Sequence, residues 1–145
     1  MDECITSSSN FTVAQLPAKA YPIWEQILLP SFIKKLNAAL LHCCSNTAPL
    51  FCKTPMVVTI HDVIYMQAGG FKGSAYQNFG NLYRRWIVPK AAKKAKAIIA
   101  VSEFAKKEIV AALNVQANKV HVVYNGLNAI YRPCTDIQKS VAFRT

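Results

Sequence analysis

The segment from Pro55 to Val63 reads P-M-V-V-T-I-H-D-V, and it constrains the chain more than any other stretch. Met56 to Ile60 is a short, nearly continuous apolar and β-branched run, which is how a parallel strand buried on both faces reads. The run stops abruptly at His61 and Asp62. In open parallel sheets, ligands bind in the crevice outside the carboxyl ends of the strands, so a His-Asp pair at such an end is a candidate site by position as well as by residue type.

The flanking sequence supplies the partners such a strand needs. Ile23, Trp24, Ile27 and Leu28, then Phe32, Ile33 and Leu36, give a helical pattern between Tyr21 and Leu41, with Pro30 either starting a second helix or kinking a longer one. Ala38 to Cys43 is a short buried run of strand length, closed by the turn signal S-N-T-A-P. His42, within that run, is expected to be a core histidine with a satisfied hydrogen bond. Gly69, Gly70 and Gly73 fit neither G-x-G-x-x-G nor the P-loop pattern, and read as a mobile loop.

From Ser74 the chain reads as helical through Ala95 with Pro89 as an interruption; Val88, Ala91, Ala92 and Ala95 fall on one side, and Lys90, Lys93 and Lys94 on the other. Ala97 to Val101 is a third short apolar strand running into Ser102, whose hydroxyl suits a helix start, while Glu103 complements the helix dipole. Phe104, Ile109, Val110 and Leu113 supply that helix's buried face, and Asn114 ends it. Val120 to Tyr124 is a further strand, followed by an Asn125-Gly126 turn. The predicted order is helix, strand, strand, helix, strand, helix, strand. It implies an α/β fold: a partial Rossmann-like layered sandwich with a mostly parallel sheet flanked by helices. The domain is expected over residues 21–128, with a frayed or disordered amino terminus over 1–20 and a linker or tail over 129–145.

At 145 residues the chain is one domain's worth, and 52% apolar residues are ample for a core. No apolar run approaches the roughly 18 residues of a membrane span, and Met1, Asp2 and Glu3 do not make the basic start of a signal peptide, so a cytoplasmic location is expected. Cys4, Cys43, Cys44, Cys52 and Cys134 lack CxxC spacing or a matching His pair, and read as reduced thiols rather than a zinc site or disulfide framework. The formal charge of +10 favours a polyanionic partner: nucleic acid, an anionic membrane surface or phosphorylated substrates.

Four stretches in register, A-L-L-H-C-C-S-N-T-A-P, V-V-T-I-H-D-V, A-K-A-I-I-A-V-S-E-F-A-K-K-E-I and K-V-H-V-V-Y-N-G-L-N-A-I-Y-R-P, together resemble the amino-terminal domain of retaining glycosyltransferases of the GT-B type, group 1 family. The resemblance covers roughly residues 24–133. It implies a domain that receives the acceptor across a cleft from a second domain holding the nucleotide-sugar, with no other cofactor and no metal. His61 matches the family histidine that projects toward the donor sugar, where it would hydrogen-bond the sugar and stabilise the transition state. By the same resemblance Asp62 orients the loop, and Asn46 with Pro49 belongs to the loop facing the acceptor. Ser102 and Glu103 match the helix start beside the cleft, and Asn125 and Gly126 the turn leading to the hinge. Partners implied are a nucleotide-sugar donor and a saccharide or lipid-linked acceptor, as in polysaccharide or cell-envelope glycan synthesis.

The family's opening strand and Gly-rich loop have no counterpart before Tyr21, and its basic and acidic donor-site residues have none after Pro133. The chain is therefore expected to be a piece of such an enzyme, inactive alone. Alternatives from other classes are a non-catalytic interaction module, or a subunit paired with a separately encoded donor domain. The basic residues Arg84, Arg85, Lys90, Lys93, Lys94 and Lys96, with Tyr83 and Trp86, read by default as a solvated helix face. Their functional alternative is a patch for anionic lipid at the inner face of the membrane. No nucleic-acid-binding motif accompanies the charge. A metal-dependent His-Asp phosphohydrolase would need further ligands at suitable spacing, which His42, His121 and Asp136 do not supply.

Overall fold

The computed structural model describes residues 10–66 and 74–126. The residues 1–9 of the expected frayed terminus, the loop bearing Gly69, Gly70 and Gly73, and the expected tail over 129–145 lie outside the described residues. Helix α1 covers residues 21–35, followed by β1 (Leu41–Cys43), β2 (Met56–Ile60), α2 (Ala75–Lys94), β3 (Ala97–Ala100), α3 (Glu103–Leu113) and β4 (Val120–Val122). Single 3₁₀ turns stand at Ile64–Met66 and Ala117–Lys119. This is the element order read from the sequence.

The four strands form one sheet in the order β1-β2-β3-β4, every pair parallel, with Val58 opposite Cys43 and Ile98, and Ile98 opposite Val120. Parallel pairing needs a crossover of a dozen or more residues. Residues 44–55 make the first one without any helix, filling it instead with the buried Thr47, Ala48 and Pro49. Helices α2 and α3 make the other two.

One face of the sheet carries the core. Leu41, Met56, Val58, Ile60, Ile98, Ala100 and Val120 are buried there against Ile33 of α1, Ile87, Val88, Ala91 and Ala92 of α2, and Ala105, Ile109 and Leu113 of α3. Burial of each large aliphatic side chain contributes about 1.5–3 kcal/mol. The other face is less covered: Val57, Ala97 and Ile99 are half-buried, and His42 and His121 are exposed. His42 is therefore not a core residue. Its Nε2 pairs with the Thr59 hydroxyl at 2.8 Å along the open face, because residues 42 and 57 share a register position.

One further expectation is corrected. Phe104 is 75% exposed; the buried face of α3 runs Ala105, Ile109, Leu113, a spacing of four that leaves Phe104 one position off the stripe. Pro30 stands in the first turn of the α-helical segment Leu29–Lys35 that forms the second part of α1. A π-helical turn, Trp24–Leu28, lies immediately ahead of it, where proline withholds the N–H that would bond the Gln26 carbonyl, and the widened turn absorbs the misfit. Pro89 is likewise carried inside α2.

The helix starts are chemically determined. Ser74 and Gln77 cap α2 reciprocally: the Gln77 N–H donates to the Ser74 hydroxyl at 3.3 Å, and the Ser74 N–H donates to the Gln77 side-chain oxygen at 2.9 Å. Ser102 Oγ accepts the Ala105 N–H at 3.0 Å, and Asn114, at φ 49°, closes α3 in the left-handed region. The 20 residues of α2 span about 30 Å, roughly twice a five-residue strand. Among its described side chains only those of the carboxyl-terminal half supply buried aliphatics, so its amino-terminal half stands beyond the carboxyl edge of the sheet as a wall.

Candidate active-site cleft

Because all four strands run the same way, their carboxyl ends share one edge, and every residue singled out beyond a strand end falls on it: Asn46 after β1, His61 and Asp62 after β2, Ser102 and Glu103 after β3, Asn125 and Gly126 after β4. Asn46 and His61 are directly joined. The His61 backbone N–H donates to Asn46 Oδ1 at 2.7 Å, while the Asn46 N–H donates to the Thr59 carbonyl at 3.0 Å. Asn46 does this at φ 65°, a left-handed conformation that asparagine tolerates better than most residues.

The exposed His61 ring donates from Nε2 to the Cys44 carbonyl at 2.8 Å. A neutral imidazole holding its proton there keeps its Nδ1 lone pair for an incoming donor such as a hydroxyl. Asp62 Oδ1 accepts the Ile64 N–H at 3.2 Å, starting the 3₁₀ turn. Ser102 is occupied as the α3 cap, while Glu103, Asn125 and Gly126 lie exposed one and two strands away from β2.

Beside β1, between the segment preceding α1, the loop after β1 and the overhanging half of α2, lies a cleft of about 910 Å³, within the size range of small-molecule sites. Tyr21, Phe79 and Tyr83 give it aromatic walls, Ser45, Thr47, Gln77 and Asn81 line it with polar groups, and Lys19 and Arg84 are its charged residues. Behind this wall sits Glu25, 2% exposed. Its Oε1 accepts from the Tyr21 hydroxyl at 2.9 Å and from the Thr47 hydroxyl; its Oε2 accepts from the Tyr83 hydroxyl at 2.6 Å and from Gln26 Nε2 at 2.9 Å. A buried carboxylate persists only when its lone pairs are filled in this way.

The same network holds the tyrosines neutral. Burial, with a smaller contribution from the Glu25 charge, pushes the Tyr21 hydroxyl up to about 12, and burial followed by the hydrogen bond to Glu25 pushes Tyr83 further up. Both hydroxyls donate to Glu25, while Tyr83 also accepts from Gln26 Nε2 at 3.0 Å and Tyr21 pairs with the Thr47 hydroxyl at 3.0 Å, so the cleft can use the lone pairs that remain.

A family model described as Glycosyltransferase Family 4 matches residues 5–129. The chain belongs to this family. No curated protein matched the chain in a sequence search. The match takes in every described strand and helix, and the four-stranded parallel sheet with its helices is consistent with the Rossmann-like amino-terminal domain type of GT-B group 1 glycosyltransferases.

For a glycosyltransferase family 4 domain, the basic residues of α2 are dispersed rather than pooled. Arg84 lines the cleft. Arg85 Nε donates to the Tyr65 carbonyl at 2.5 Å, Lys94 Nζ donates to the Leu50 and Cys52 carbonyls, and Lys90 Nζ lies 3.4 Å from the Trp86 ring centroid. Lys93 is exposed. No helix among the described residues is long and apolar enough to cross a membrane.

Sequence reasoning did not single out the Glu25 network or Lys19. One signal was present: Glu25 is an acid inside the otherwise apolar run I-W-E-Q-I-L-L, a position that calls for buried partners.

Proposed function

We propose that the chain is the acceptor-side half of a glycosyltransferase that moves a sugar from a nucleotide-sugar to a saccharide or lipid-linked acceptor. The observation that carries this reading is the cleft beside the His61 edge, where aromatic faces stand next to hydroxyl lone pairs aligned by Glu25. Saccharides offer matching chemistry, with apolar ring faces and many hydroxyl donors.

In this account His61 accepts a hydrogen bond on Nδ1 from a hydroxyl of the donor sugar and stabilises the transition state. Asn46 and Cys44 fix the position of its backbone and ring, and Asp62 shapes the loop that follows. In the complete enzyme Ser102 and Glu103 would border the cleft between the two domains, away from the cavity beside β1, and Asn125 and Gly126 lead toward the hinge. Transfer also requires stabilising the departing diphosphate and aligning the acceptor hydroxyl with the anomeric carbon. The 145 residues alone are therefore expected to show no turnover.

The test is sugar transfer by the native polypeptide purified from its source cells. His61→Ala is expected to lower kcat by about 10²-fold or more with the fold intact. Unchanged transfer would remove His61 from the mechanism, and transfer by the 145-residue chain alone would overturn the half-site reading.

A second property is favoured by one surface of α2. Phe79, Leu82 and Trp86 are exposed at helical spacing, with Lys90 and Lys93 continuing the stripe. This is the composition of a face that lies on anionic lipid, consistent with a cytoplasmic protein peripheral at the inner membrane face. Sedimentation with vesicles containing anionic lipid is expected to fall for Trp86→Ser; equal sedimentation with neutral vesicles would reject it.

A further inference from the structure

The cleft's charge is one-sided. Among the described residues Lys19 and Arg84 line it and no carboxylate does, although the cavity is large enough to admit several groups of a ligand. Glu25, behind the wall, does not balance them. Its two oxygens are filled by Tyr21, Thr47, Tyr83 and Gln26, and it is sealed behind the wall those side chains make. Arg84 has one weak side-chain contact, from a guanidinium nitrogen to Asn81 Oδ1 at 3.4 Å, which leaves most of its five N–H donors directed elsewhere. A concave surface whose charged side chains are both cations favours an anionic guest.

The polar groups divide by sense. The hydroxyls of Tyr21 and Tyr83 donate to Glu25, Tyr83 also accepts from Gln26 Nε2 at 3.0 Å, and Tyr21 pairs with the Thr47 hydroxyl at 3.0 Å; the lone pairs these bonds leave over suit the hydroxyl donors of a neutral sugar ring. Lys19 and Arg84 present donors only. A ligand satisfying both parts carries sugar hydroxyls at one end and negative oxygen atoms at the other.

We infer that the cleft takes a saccharide acceptor bearing an anionic group, a phosphate monoester or a carboxylate, held by Lys19 and Arg84. This rests on the acceptor-side reading above and narrows it. Arg84 then acts as a specificity residue, its planar fork suited to two oxygens of one anionic group.

The test uses the ¹⁵N-labelled 145-residue chain titrated with mannose 6-phosphate, glucuronate, mannose and inorganic phosphate. One or both charged sugars are expected to bind about tenfold more tightly than mannose, shifting amides around Lys19, Ser45 and Arg84. Lys19→Gln and Arg84→Gln, both at exposed positions, are expected to remove most of that advantage and leave mannose binding and the remaining spectrum unchanged. A lead for mannose 6-phosphate identifies phosphate as the group, and a lead for glucuronate identifies carboxylate. Equal binding of mannose and the charged sugars would overturn the inference while leaving the acceptor reading standing. Inorganic phosphate binding as well as mannose 6-phosphate would leave an anion site and remove the saccharide from it. Unchanged affinity in Arg84→Gln, or no binding by any probe, would also overturn the inference.

Discussion

Asn46 clamps His61 to the sheet edge: its side-chain oxygen takes the His61 backbone N–H at 2.7 Å, and its own N–H reaches the Thr59 carbonyl at 3.0 Å. The loop after β1 thereby continues the sheet's hydrogen bonding past the last paired residues. The same loop offers the Cys44 carbonyl to the imidazole, so the histidine's backbone and ring are both held by one neighbouring segment.

Replacing Asn46 separates the two contributions. Asn46→Ala loses the acceptor and strains the left-handed backbone, and is expected to cost about 1–3 kcal/mol in urea unfolding. Asn46→Gly relieves the strain and should cost less, while Asn46→Asp keeps the acceptor and should lie closest to the parent chain. Equal stability of the alanine and parent chains would show that the clamp contributes nothing.

Glu25→Gln places an amide, with one acceptor oxygen and two N–H donors, where two oxygens now receive four donors. At least one of the Tyr21, Thr47 and Tyr83 hydroxyls must lose its partner or reverse. A loss of about 1–3 kcal/mol is expected in thermal or urea unfolding, with altered Tyr21 and Tyr83 titration. Unaltered stability would mean that the network stores no folding energy.

The tyrosines set an alkaline limit. An unfolded tyrosine ionises near 10, whereas Tyr21 is held neutral to about 12, and burial raises Tyr65 and Tyr83 as well. The folded chain therefore keeps more protons than the unfolded chain above pH 10. The stabilisation these groups give is fully present below pH 10 and is lost as pH rises through the folded values. Unfolding followed by tyrosinate absorbance is expected to be late and cooperative with loss of structure. Independent ionisation of all the tyrosines near pH 10 in a folded chain would contradict this.

Adjacent cysteines should differ in reactivity. Burial, with smaller effects of Glu25 and the neighbouring thiols, pushes the Cys43 thiol up to about 12, while Cys44 is exposed. The thiolate is the attacking species, so limited alkylation at pH 8 read by peptide mass is expected to mark Cys44 well before Cys43. Faster labelling of Cys43 would refute the burial argument.

The sheet and the residues at its carboxyl edge were legible because their signals are local. A five-residue β-branched run ending in His61, a serine placed to cap α3 at Ser102, and a Ser-Asn turn after a short apolar run each declare themselves within a few neighbours. Glu25 was not legible because its partners are distant: Thr47 is 22 residues on and Tyr83 is 58, and only folding shows that an acid among apolar residues has four donors. The basic residues of α2 looked equivalent in sequence, yet the overhang of the helix sends Arg84 into the cleft while the 50–52 loop binds Lys94. His42 and Phe104 were assigned to the core on residue type and spacing, and the half-covered sheet face and a one-position shift in the α3 stripe exposed them.

The central claim is that this domain reads the acceptor rather than the nucleotide-sugar, and side-by-side binding to the 145-residue chain tests it most directly. Mono- and oligosaccharides and a panel of nucleotide-sugars would be titrated under one set of conditions, with amide shifts followed at Tyr21, Ser45 and Thr47. The account predicts saccharide binding mapped to these residues, with no tighter binding of any nucleotide-sugar. Tighter binding of a nucleotide-sugar in the same cleft, dependent on its nucleotide, would contradict it and make this the donor side.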